Sequence, residues 1–206
     1  MSIAALVAAA LAVAPAAPAA LSTPPVVVDL ATIPEVSQTL LSTAISETQT
    51  IFRAAGVSFI WRRNQRSFGA LRVVIGSETG PATDGTTPLG WVLFENGEPS
   101  REIHLSFENA YRFMELSREV VGIASNKTLV ERDILLGRAL GRALAHELGH
   151  YLLKTKEHTK KGLLKGSRTA QEFFSPDRSS FSMDLAERQL IAARVRREFN
   201  LARRAN

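Results

Sequence analysis

The segment ERDILLGRALGRALAHELGHYLL, residues 131–153, constrains this chain more than any other. Its apolar residues fall on nearly every side of a helix rather than along one stripe, and such a helix runs through the middle of a domain. Gly137, Gly141, Ala145 and Gly149 recur every fourth residue and give it a flat face, on which a sheet or a second helix can pack closely. Into this apolar rod the sequence sets His146, Glu147 and His150 in the order H-E-x-x-H. Two imidazoles and a carboxylate are costly to bury without a partner, so the setting points to a bound ion.

Residues four apart on a helix are rotated by about 40° and separated by about 6 Å along the axis, so His146 and His150 share a face. Two imidazoles so placed can converge on one Zn²⁺. Glu147, turned by about 100° from His146, stands on the flank of that metal. There it can take the proton of a zinc-bound water as general base, for attack on a carbonyl that zinc polarises. The chain has no cysteine, so the remaining ligand must be a histidine or a carboxylate. The candidates are His158, Glu157, Glu172 and Glu187. His158 follows His150 by eight residues and can fold back under the metal after one break in the helix. Glu172, in TAQEFF, would give the His2Glu set of a gluzincin-type peptidase.

Before the long helix, hydrophobic patterning and breakers predict the order β-α-β-β-β-β. Val26–Leu30 reads as a strand and residues 36–55 as an amphipathic helix stopped at Gly56. Val57–Arg63, Leu71–Glu78, Leu89–Phe94 and Arg101–Phe107 read as strands, the last two forming a hairpin across Asn96-Gly97. ENAYRFMELSREVVG reads as one helix, and residues 184–202 as a final one. His104, within IHLSF, reads as a structural strand histidine. Trp61 and Trp91 read as core or rim aromatics, and Arg138 and Arg142 as partners of carboxylates near the helix.

This order, with H-E-x-x-H on a long helix and a third histidine just beyond it, resembles the metzincin zinc endopeptidases. That family reads H-E-x-x-H-x-x-G-x-x-H with a methionine turn beneath the zinc. The resemblance implies His146, His150 and His158 as ligands, Glu147 as base, and Gly162-Leu163-Leu164 at the turn. Leu153 stands where the family has its helix-breaking glycine, two extra residues precede His158, and Leu164 replaces the turn methionine. The implied fold is α/β of the α+β, zincin-like kind: a mixed, twisted sheet of about five strands on the long helix, with a C-terminal helical region. The implied activity is zinc-dependent hydrolysis of peptide bonds, with the substrate laid along the edge strand Leu89–Phe94. A zinc-binding domain without turnover is the alternative from outside enzymology.

Composition fits one domain over residues 21–206. Hydrophobic residues make up 45% and charged residues 22%, which excludes wholesale disorder. Much of the net charge of +5 lies in VRREFNLARR and reads as a solvated helix face rather than a nucleic-acid patch. Residues 1–20, MSIAALVAAALAVAPAAPAA, resemble a secretory signal that ends in small residues, although no Lys or Arg precedes the apolar run. They are too short for a comfortable membrane span. The expectation is export to the periplasm or beyond, with an uncleaved N-terminal anchor as the alternative.

Overall fold

The computed structural model describes residues 23–67, 69–81 and 87–204; the leader expected over residues 1–20 lies outside them. Strand β1 (Val26–Thr32) leads through helix α1 (Gln38–Arg53) to β2 (Phe59–Arg63) and β3 (Leu71–Gly76). The hairpin of β4 (Gly90–Glu95) and β5 (Glu98–Ser106) follows. The helices α2 (Phe107–Leu116), α3 (Arg118–Val121), α4 (Leu129–Leu153), α5 (Ala170–Phe174) and α6 (Leu185–Arg204) complete the chain. The architecture is α+β, as expected, with a five-stranded mixed sheet in the order β2-β1-β3-β5-β4. Of these strands, only β4 runs antiparallel to its neighbour.

Period-two patterning decides which face of the sheet is covered. Leu71, Val73 and Ile75 of β3 share a face with Val28 and Leu30 of β1 and with Ile103 and Leu105 of β5, and all seven are buried. Arg72, Glu102 and His104 alternate to the other face, where His104 Nε2 lies 3.1 Å from Glu102 and its ring stacks on Trp91 at 5.2 Å. Among the described residues, helices therefore cover one side of the sheet only. The Asn96-Gly97 turn has positive φ at both residues (51° and 83°), the signature of a two-residue type I′ connection.

The stripe of small residues on α4 meets two different partners. A Cβ on Gly137 would stand 2.5 Å from the Leu40 carbonyl oxygen, and one on Gly141 would stand 2.5 Å from that of Ala44. Helix α1 thus lies backbone-close on α4, and Thr48 Oγ1 donates across to the Gly141 carbonyl at 2.9 Å. Gly149, further along, faces Leu163 and Leu164. Thr128 and Glu131 close a capping box at the start of α4.

One expected helix is divided, while the long helix ends where expected. The single helix over ENAYRFMELSREVVG is broken at Ser117, whose hydroxyl donates to the Phe113 carbonyl at 2.6 Å in place of a continued ladder. Helix α4 runs through Leu153 and ends at Lys154, which adopts the left-handed conformation (φ 49°, ψ 48°).

Candidate metal centre

His146 and His150 project from the last two turns of α4. Each is held by a backbone carbonyl from the chain beyond that helix. His146 Nδ1 lies 2.9 Å from the Leu163 carbonyl oxygen, and His150 Nδ1 lies 2.7 Å from that of Thr155. A carbonyl oxygen only accepts, so both Nδ1 atoms carry the proton and donate. Burial, with the neighbouring His150 next in weight, pushes His146 down to about 3, and burial likewise lowers His150. Both rings are therefore neutral near pH 7, and both Nε2 atoms present bare lone pairs.

Those lone pairs converge. His150 Nε2 is 3.0 Å from His146 Nε2, which is 3.3 Å from His158 Nε2. Ligand atoms held at about 2.0–2.1 Å in tetrahedral disposition stand about 3.3–3.4 Å apart, so the spacing fits one small cation. Facing lone pairs at this distance repel unless a positive centre lies between them. Among the described residues, these three histidines form the cluster with the spacing to hold a metal ion.

His158 reaches the cluster on a loop that closes on itself. Thr159 N donates to the Leu164 carbonyl at 2.9 Å, and Lys165 N to that of Gly162 at 3.2 Å. Gly166 lies against the His158 ring, where a Cβ would come within 3.0 Å of the histidine's own. The competing carboxylates are engaged elsewhere. Glu172 caps α5 through Thr169 N at 2.9 Å and pairs with Lys165 at 2.7 Å. Glu187 accepts from Asp184 N at 2.8 Å at the head of α6, and Glu157 is exposed.

Comparison of the chain with protein-family models finds no match, and comparison with curated proteins finds none either. The chemistry of the centre therefore rests on its geometry.

Glu147 is 8% exposed and faces β4 rather than the histidines' carbonyl anchors. A Cβ on Gly90 would stand 3.2 Å from Glu147 Cγ, a tight approach that places the carboxylate close against β4. Burial pushes the Glu147 carboxyl up to about 8, and a backbone hydrogen bond from Val92 opposes the shift. The same strand, β4, is an edge of the sheet, and its Leu93 is 50% exposed.

Nothing in the sequence points to the two carbonyl anchors, Thr155 and Leu163, because a backbone oxygen's role leaves no residue preference. Met183 is equally silent there. It is buried and follows Ser182, whose carbonyl oxygen would be 2.9 Å from a Cβ on Gly162. A methionine thus stands on the segment that packs against the ligand loop. Arg138 and Arg142 do meet a carboxylate, as expected. Both reach Glu47, at 3.7 and 3.4 Å, and Arg178 grips the same group at 2.7 Å.

Proposed function

We propose that this chain is an exported zinc-dependent metallopeptidase with a metzincin-like centre. His146, His150 and His158 hold the Zn²⁺, and Glu147 serves as general base. The observation that carries the reading is the convergence of three Nε2 atoms, two of them on rings already locked in the ligating tautomer. Three imidazoles without a thiolate suit zinc, and three protein ligands are the number used in zinc enzymes that keep a position for water.

Bound zinc supplies Lewis acidity, lowering the pKa of a coordinated water and polarising a carbonyl. The protein's own groups do the rest. Glu147 takes up the proton of the attacking water on its carboxylate and returns it to the leaving amine. Its burial and the Val92 N–H hold it in one orientation for both transfers. Neither tyrosine of the chain, Tyr111 or Tyr151, lies beyond the ligand loop in sequence, so backbone N–H groups are left to steady the developing oxyanion. An extended peptide would add to the free side of β4 by ladder hydrogen bonds, which bring its scissile carbonyl over the centre.

Metal content and cleavage test the proposal together. Reconstituted protein is expected to hold one equivalent of Zn²⁺ and to cleave members of a broad peptide library. Glu147→Ala should keep the metal and lose the cleavage. Less than half an equivalent of zinc rejects the centre; full zinc without cleavage by the wild type rejects the peptidase and leaves a zinc-binding domain.

A further inference from the structure

The loop that delivers His158 also carries the carbonyl that fixes His146, and one side chain spans that loop from behind. The Arg168 side chain is only 3% exposed. Its Cζ stands 3.7 Å from the centroid of the Phe181 ring. Nη2 donates to the carbonyl oxygens of Gly162 at 2.5 Å and Leu163 at 3.0 Å, while Nη1 donates to that of Ser180 at 2.9 Å. Leu163 is the residue whose carbonyl accepts from His146 Nδ1. A continuous path therefore runs from Phe181 and Ser180 through the guanidinium to the Leu163 carbonyl, and from there to the imidazole.

We propose that Arg168 is a positioning residue of the metal centre. By gripping the Gly162 and Leu163 carbonyls, it aims the oxygen that keeps the His146 proton on Nδ1 and its Nε2 bare. Gly162, at φ 78°, sits where a side chain would collide with the Ser182 carbonyl, so the turn lies close against the segment that Arg168 also grips through Ser180. A planar fork can bind two successive carbonyls while its face lies on an aromatic ring; a lysine ammonium at the same place cannot do both. The charge of Arg168 repels a dication nearby, so charge is not what recommends an arginine there. Its fixed geometry is.

The purpose of this arrangement rests on the metal-centre reading, but the tautomer of His146 can be tested apart from the metal. The tautomer of His146 is read by ¹⁵N imidazole NMR on full-length, chelator-treated protein. Zn²⁺ affinity is read on the same protein by competition with a chromophoric chelator. The wild type is expected to show one tautomer, protonated on Nδ1. Arg168→Lys and Arg168→Gln should both give mixed tautomers and bind Zn²⁺ about 10- to 100-fold more weakly, the range for losing an outer partner of a metal ligand.

A lower melting temperature with unchanged tautomer and affinity would reduce Arg168 to a structural residue and overturn the proposal. Tighter zinc binding by Arg168→Gln alongside wild-type affinity in Arg168→Lys would show that charge governs, and would overturn it as well. So would a wild type protonated on Nε2. If the Arg168 variants do not fold, Phe181→Leu, which removes the ring under the guanidinium, is read by the same two criteria. A wild type that binds no zinc sinks the metal reading, while the tautomer still decides the role of Arg168.

Discussion

Glu147 should make the metal-free protein less stable than a variant that cannot ionise. Its carboxyl ionises near 4.5 when solvated and is pushed up to about 8 by burial beside β4. Between those values the folded protein keeps the proton and the unfolded chain releases it. The native state thus binds more protons than the unfolded one, and stability falls as pH rises. A tenfold difference in proton affinity is worth about 1.4 kcal/mol, so by pH 7.5 a difference of about a thousandfold amounts to roughly 4 kcal/mol as an upper figure. Structural relaxation and water entry reduce this toward about 2 kcal/mol.

Glu147→Gln has the same shape and no charge to desolvate. In chelator-treated protein, urea denaturation followed by Trp61 and Trp91 fluorescence should find the two proteins alike at pH 4.5. The variant should be more stable by about 2–4 kcal/mol at pH 7.5. His146 adds a pH dependence of opposite sign. Its folded value is lowered from 6.5 to about 3, so stability is lost as pH falls through that window. Both proteins share this loss, and it cancels in their difference. Added Zn²⁺ should shrink the gap, because a cation beside Glu147 favours the carboxylate. A difference that does not change with pH, or a glutamine variant that is weaker throughout, would refute the reasoning.

Three further outcomes test the ligand set and the packing around it. His158→Ala should lose Zn²⁺ affinity by at least about 100-fold in a chelator competition, whereas Glu172→Ala should keep it and lose about 1 kcal/mol of stability with the α5 cap. Gly141→Ala drives a methyl group against the Ala44 carbonyl at 2.5 Å and should cost about 1–3 kcal/mol in urea denaturation. Glu47→Gln removes the carboxylate shared by Arg138, Arg142 and Arg178, with Arg142 0% exposed; it should destabilise by about 3–5 kcal/mol, with little change in the zinc affinity of the folded fraction.

Much of the fold could be read from the sequence because the elements obey strong periodicities. The alternation in LRVVIG marks a strand with one covered face, the Asn96-Gly97 pair demands its hairpin, and the all-round apolarity of α4 requires a buried helix. The pairing order could not be read, since nothing local says that β3 inserts between β1 and β5. Of the centre, His146, His150 and Glu147 were legible because a helix fixes their relative directions. His158 was harder, because its approach depends on a loop whose path is set by hydrogen bonds between backbone groups. The Ser117 break was missed for a related reason: a serine inside a helical pattern shows its effect only when its hydroxyl has found the carbonyl four residues back.

The seven residues between His150 and His158 include the end of the helix. A glycine at position 153 would let the chain turn there; with leucine in place, α4 continues one residue further and turns at Lys154. A lysine in the left-handed region carries a strain of about 1 kcal/mol that glycine would not. Contacts to the hairpin offset it: Lys154 pairs with Glu98, and Lys156 Nζ lies 5.2 Å from the Phe94 ring centroid. That turn also sets Thr155, whose carbonyl holds the His150 ring. The same few residues thus end the helix, orient the second histidine and start the loop that returns with the third. The hairpin contacts and the backbone anchors together fix where the imidazoles meet.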